Sequence, residues 1–304
     1  MELFTFGVEH YVEADVYAAA RVFSGWNLSV TGATGFGTAA FEFVFREEQH
    51  DTDEKAFSFP IYSRGSRRPN VIPTRTAAAG MQDGLDLINA LAFHPETARR
   101  MARRLWTWFV SETAAPDETF VQAVAKVYLE SGTNMRAVLR AVLTSSAFQD
   151  PAHFYQRYAW PVEFVVRSLR EVGYVGYSVN STLTPLINMG QQLFEPPDVN
   201  GWEIGPAWFS TGGMLARMNF ASGLATNQRV ALREASRPSN ASPDTLVDFA
   251  KSRLSLPVLD AGVRGDLINY VNAGISWTGS DAQLLSKAPG LFHLLMGSGE
   301  YQFV

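Results

Sequence analysis

The chain has 304 residues, 46% hydrophobic and 18% charged, a globular balance that suffices to bury roughly three quarters of the unfolded surface. Its net charge of −5 argues against a nucleic-acid partner, because phosphate binding needs a clustered positive surface. Cysteine is absent, which removes disulfides, thiol nucleophiles and thiolate metal sites, and no run of 18 apolar residues is present to form a transmembrane segment.

Met1 opens MELFTFGVEHY, which has neither a basic n-region nor a small-residue cleavage site and reads as the middle of a helix without a cap. Asp15 heads DVYAAARVFSGW, where its carboxylate can accept from a first helical turn, and Gly25 ends that helix. FEFVFR alternates Phe41, Phe43 and Phe45 with polar neighbours, and KAFSF alternates Phe57 and Phe59, so the pattern predicts a β-hairpin over 36–60 joined through EQHDTDE. The preceding GATGFG lacks the strand, helix and downstream acid of a dinucleotide site. Residues 60–80 hold three prolines and two glycines and read as a loop.

Helical periodicity then dominates. It predicts helices over Gln82–Phe93, Pro95–Val110 and Asp117–Glu130, then one capped by Asn134, with Pro95 at a first helical position where its missing N–H is harmless. Pro161 opens PVEFVVRSLREVG; further helices are expected over Thr182–Phe194, Gly213–Asn227, and about 243–253, 260–273 and 281–297. The stretch 233–244, with RPSNASPD, is a candidate linker to those last helices. The expected fold is mainly α, a bundle-like array of helices in one domain with a small β-hairpin near the N-terminus.

Three groups of residues could carry chemistry. His50 and Asp51, in a turn with Asp53 and Glu54, could act as base and orienter or share a divalent ion. The five histidines form no HxH or HxxxH pair, and Lys55 and Tyr62 stand where a calcium loop wants ligands, so no metal is assigned. His94 precedes a helix with Arg99, Arg100, Arg103 and Arg104, guanidiniums that could grip a carboxylate, sulfate or phosphate or serve as internal struts. The proline-rich MGQQLFEPPDVNGWEIGPAW places Glu195 and Asp198 on one stiff bend, as an acid–base pair requires, with Gln191 and Asn200 for polar reach. Trp202 and Trp208 could face a sugar ring or anchor the bend, and Arg217 and Asn219 on the next helix could hold it. No cofactor motif is present.

That bend, with PVEFVVRSLR before it and Arg217, Asn219 and Phe220 of LARMNF after it, resembles the bacterial family catalogued as domain of unknown function 1800. The phenylalanine-rich strand, the His50–Asp51 pair and HPETARRMARRLWTWFV also resemble that family, with Arg104 where it more often has Lys. The resemblance implies that the chain is a fragment, the C-terminal half to two thirds of a longer domain whose N-terminal part is missing. It further implies an extracytoplasmic protein that binds a polysaccharide or an anionic ligand in a surface or export system. A hydrolase completed by the missing region, with His50, Asp51, Glu195 and Asp198 contributing, and a structural partner of a sulfatase-like protein are the alternatives.

Overall fold

The computed structural model describes residues 1–32, 39–62, 66–274 and 276–304. GATGFG lies almost wholly outside the described residues, as does the beginning of the span expected as a hairpin. The chain divides into two compact units. The first is Met1–Val110 with Ala115–Asp150; the second is Ser111–Ala114 with Pro151–Val304.

In the first unit, α1 (Glu13–Val22) begins two residues before Asp15. Asp15 reaches back to accept from the Val12 N–H at 2.8 Å and also receives the Ser58 N–H at 2.7 Å, so a buried carboxylate ties the helix to the KAFSF segment. Gly25 adopts φ +83°, and a Cβ there would meet the Arg46 carbonyl at 2.7 Å, which is why glycine stands between α1 and β1 (Trp26–Thr31).

The small hairpin is present, but FEFVFR pairs with a different partner from the one its alternation suggests. β1 runs antiparallel to β2 (Ala40–Phe45), with Leu28 opposite Phe43 and Val30 opposite Phe41. A 3-10 turn at Glu47–Gln49 follows β2, and β3 (Lys55–Ala56) pairs instead with β4 (Val71–Ile72), inside the segment expected as a loop. The physical reason lies in WNLSVT, which has the same period-two alternation through Trp26, Leu28 and Val30. Phe57 and Phe59 are meanwhile drawn into a core with Val22, Ile72, Leu87 and Leu91.

Four helices complete the unit: α2 (Met81–Ala92), α3 (Pro95–Phe109), α4 (Glu118–Glu130) and α5 (Met135–Leu143). Side chains cap three of them as the residue types dictate: His94 Nδ1 accepts from Glu96, Asp117 from Thr119 and Asn134 from Arg136. Ala98, Ala102, Trp106, Val121, Val138 and Val142 form a second core cluster among α3, α4 and α5. Each fully buried valine or leucine in such a cluster contributes about 1.5–3 kcal/mol.

The second unit holds α6 (Pro161–Val172), α7 (Asn180–Asn188), α8 (Thr211–Ala225), α9 (Leu232–Ser236), α10 (Pro243–Arg253), α11 (Ala261–Asn272) and α12 (Asp281–Met296). With α1 to α5 they make twelve α-helices among the described residues, a mainly helical chain. The core runs through Phe164, Leu224, Leu246, Leu254, Leu291 and Phe292. The stretch expected as a linker folds here as the end of α9, a 3-10 turn at Arg237–Ser239 and the start of α10. Leu232 and Ser236 are buried, and the Asn240 carbonyl accepts from Trp277 Nε1 at 2.9 Å; these side chains give a polar-looking segment its seat.

Candidate functional site

Asp83 sits in the first turn of α2, and three basic side chains converge on it. Lys55 Nζ lies 2.8 Å from Oδ2, His50 Nε2 lies 3.3 Å from the same oxygen, and Arg75 reaches Oδ1 at 3.1 Å. The His50, Lys55 and Asp83 side chains have no exposure at all. His50 Nδ1 faces the Ser24 carbonyl at 2.8 Å, so that nitrogen carries the proton and the ring is held from both sides. A Cβ on Gly80 would fall 2.1 Å from the ring, which fixes how closely α2 approaches it. The ring is thus sealed from solvent in one orientation, while the Lys55 ammonium and the Arg75 guanidinium supply the positive charge opposite Asp83.

Asp51, the neighbour of His50, is turned outward and takes a two-pronged contact from Arg21 at 2.7 and 3.0 Å. That hydrogen bonding holds its carboxyl down at about 2. Arg75 extends the network to Asp86 at 2.5 Å, and Asp86 accepts the Tyr62 hydroxyl at 2.8 Å. Burial first, then the bond to Asp86, pushes the Tyr62 phenol up to about 12. Among the described residues no three His, Asp or Glu side chains group as a metal site.

Tyr62 also lines an open concavity of about 970 Å³ at the start of α3. Pro60, Ile61, Ala90, Phe93 and Pro95 supply its apolar surface, and Tyr62, Asn89, His94, Glu96 and Arg99 its polar one. The volume is that of a small-molecule or oligomer-subsite pocket. Phe93 is 43% exposed, a ring face open to a ligand. Burial of the His94 ring between Phe6 and Phe59 lowers its pKa, and its Nδ1 is occupied as a helix-capping acceptor, so the neutral ring carries its proton on Nε2. Glu96 pairs with Arg99 and lies 3.8 Å from His10 Nε2. Arg103, one turn further along α3, pairs with Glu118 at 3.1 Å and does not line this concavity.

The remaining candidates belong to the second unit. Gln191 is buried and accepts the Val162 N–H at 2.9 Å, in the first turn of α6. Glu112 accepts the Gly205 N–H at 2.6 Å and Trp160 Nε1 at 3.4 Å, while Trp208 is buried with its ring 5.8 Å from that of Trp160. The bend is therefore pinned at both ends. Between the pins, Glu195 and Asp198 are exposed: Glu195 bonds Gln192, and Asp198 accepts the Asn200 N–H at 2.7 Å in a tight turn. Trp202 is half-buried. A cavity of about 380 Å³ in this unit is lined by residues of α7 and α8, among them Asn188 and Asn219, and not by the two acids.

Arg217 is almost fully buried in α8, donating to the Ala159 carbonyl at 2.7 Å and Gln302 Oε1 at 3.2 Å. Its guanidinium lies 4.9 Å from the Phe164 ring centre and 5.1 Å from that of Phe209, and burial lowers its pKa to about 10. It holds the 159 and 302 segments together, and its guanidinium also meets the ring of Phe209, the residue that follows the bend. Sequence reasoning missed Asp83, Arg75 and Glu112. An acid within the apolar pattern of α2 was the available signal for Asp83; none marks Glu112.

No curated protein and no solved structure matches the chain. The family described as "Protein of unknown function (DUF1800)" matches residues 1–303, and the chain belongs to that family.

Proposed function

We propose that the chain is a binding protein, working outside the bacterial cytoplasm in a surface or export system, whose first unit receives a stretch of polysaccharide. The observation that carries this reading is the concavity at the start of α3, where an exposed Phe93 ring and apolar neighbours lie beside His94, Asn89, Glu96 and Arg99. Saccharides present apolar ring faces flanked by hydroxyls, and such a wall answers both. His50 and Lys55 support the site from behind, through Asp83, Arg75 and Asp86 to Tyr62.

Affinity electrophoresis through gels containing a panel of polysaccharides tests the reading. Retardation by at least one polymer is expected, reduced in Phe93→Ala and in His94→Ser, a change that keeps a helix-capping acceptor but removes the Nε2 donor. No retardation across the panel, or equal retardation of all three proteins, would remove the concavity from consideration.

A further inference from the structure

The polar lining of the α3 concavity is unbalanced in a way that points to the charge of its ligand. His94 offers Nε2–H, and no group among the described residues bonds that nitrogen. Arg99 has five N–H donors, and among the described residues Glu96 is its one acceptor. Asn89 is exposed and adds an amide. Tyr62 contributes a ring edge, because its hydroxyl already donates to Asp86 and accepts from Arg75. The one carboxylate in the lining, Glu96, is engaged by Arg99 and has the His10 ring nitrogen 3.8 Å away. Free donors therefore outnumber free acceptors. A neutral sugar hydroxyl uses donors and acceptors alike, whereas a carboxylate brings acceptors alone and matches the planar guanidinium fork.

We propose, resting on the binding reading above, that the concavity recognises a uronate, a carboxylate-bearing sugar unit, with the carboxylate on Arg99 and a ring oxygen or hydroxyl accepting from His94 Nε2. Phe93 lies under the sugar face. Glu96 neutralises Arg99 in the empty site, so an anion must make two parallel hydrogen bonds to compete with it, and this sets the selectivity. A uronate can come as a polymer or as a free sugar acid.

Titration calorimetry of the full chain against polygalacturonate, its methyl ester and free galacturonate separates the possibilities. Tighter binding of polygalacturonate than of the ester is expected, by about 10-fold or more, the worth of hydrogen bonds to a charged group. Arg99→Ala should abolish that preference, and Arg99→Lys should restore part of it. Free galacturonate binding as tightly as a polymer residue would support the same chemistry and assign it to a small acid. Equal affinity for acid and ester, or a preference that survives Arg99→Ala, overturns the uronate assignment and leaves saccharide binding standing. Failure of all three to bind wild-type protein, with a neutral polysaccharide bound, also overturns it; failure of every saccharide removes the underlying reading.

Discussion

His50 and Asp83 face each other at 3.3 Å with both side chains wholly buried, inside a network that also holds Lys55 and Arg75. Removing the carboxylate would leave the buried Lys55 ammonium with only the more distant, partly exposed Asp51 carboxylate, at 3.8 Å, as a counter-charge among the described residues. Asp83→Asn is therefore expected to destabilise the protein by about 3–5 kcal/mol, the range for breaking a buried ion pair from one side. Urea unfolding followed by circular dichroism reads it; a loss below 1 kcal/mol would show that the network is solvated.

Gly80 should tolerate no side chain. Its φ of −65° is available to any residue, so the cost of Gly80→Ala comes from the His50 ring, 2.1 Å from the new methyl group. Overpacking of this kind costs about 1–3 kcal/mol. Thermal melts of Gly80→Ala and of Gly223→Ala, whose Cβ would meet nothing within 4 Å, make the comparison. Equal melting temperatures would contradict the packing described.

Acid should loosen the start of α3. The His94 pKa is lowered in the folded protein from its ordinary 6.5, chiefly by burial. The folded state therefore binds fewer protons than the unfolded one at mildly acid pH. The stability this group contributes is complete above the unfolded pKa and falls as pH drops below 6.5 towards the folded value. His94→Asn, which keeps a capping acceptor that does not titrate, should flatten the stability profile in that window. Asp51 acts in the same direction much lower, its contribution disappearing as pH falls from 3.8 to about 2.

Arg217→Met would fill similar space while stripping the Ala159 carbonyl and Gln302 Oε1 of their donor. A buried acceptor without a partner costs about 1–3 kcal/mol, so a total loss of about 2–6 kcal/mol is expected from two such groups. Hydrogen exchange should quicken at the Val304 amide, which pairs with the Arg157 carbonyl at 2.8 Å. Protection equal to that of wild type would show that the arginine is not the clamp.

The β1–β2 ribbon should be separable from stability. Leu28, Val30, Phe41 and Phe43 share one face and are each more than half exposed. Phe41→Ser with Phe43→Ser is expected to shift unfolding by less than about 1 kcal/mol, as surface changes do, and to reduce binding of an apolar dye. A large destabilisation would mean that this face is covered in the folded chain.

Most helices were legible because their apolar stripes and caps act over one or two turns, as in α10, whose span Pro243–Arg253 coincides with the periodic one. Pro95 and Asn134 marked starts for the same local reason. The strand partners were not legible. WNLSVT and KAFSF both alternate, and only the fate of Phe57 and Phe59 in the core decides which pairs with FEFVFR. At the candidate site, His94 and Arg99 were legible together because they lie five residues apart at one helix end. Asp83, Arg75 and Tyr62 come from separate segments, and their convergence is a property of packing that no spacing along the chain encodes.

Glu112 lies in a four-residue stretch that belongs to the second unit although the chain on both sides of it belongs to the first. A gene divided after Asp150 would therefore yield a C-terminal product without the carboxylate that receives the Gly205 amide and the Trp160 indole. Sequence order and structural partition disagree at this point. Anyone dissecting the protein into pieces for separate expression should graft residues 111–114 onto the C-terminal fragment, or supply them as a peptide, before concluding that it does not fold.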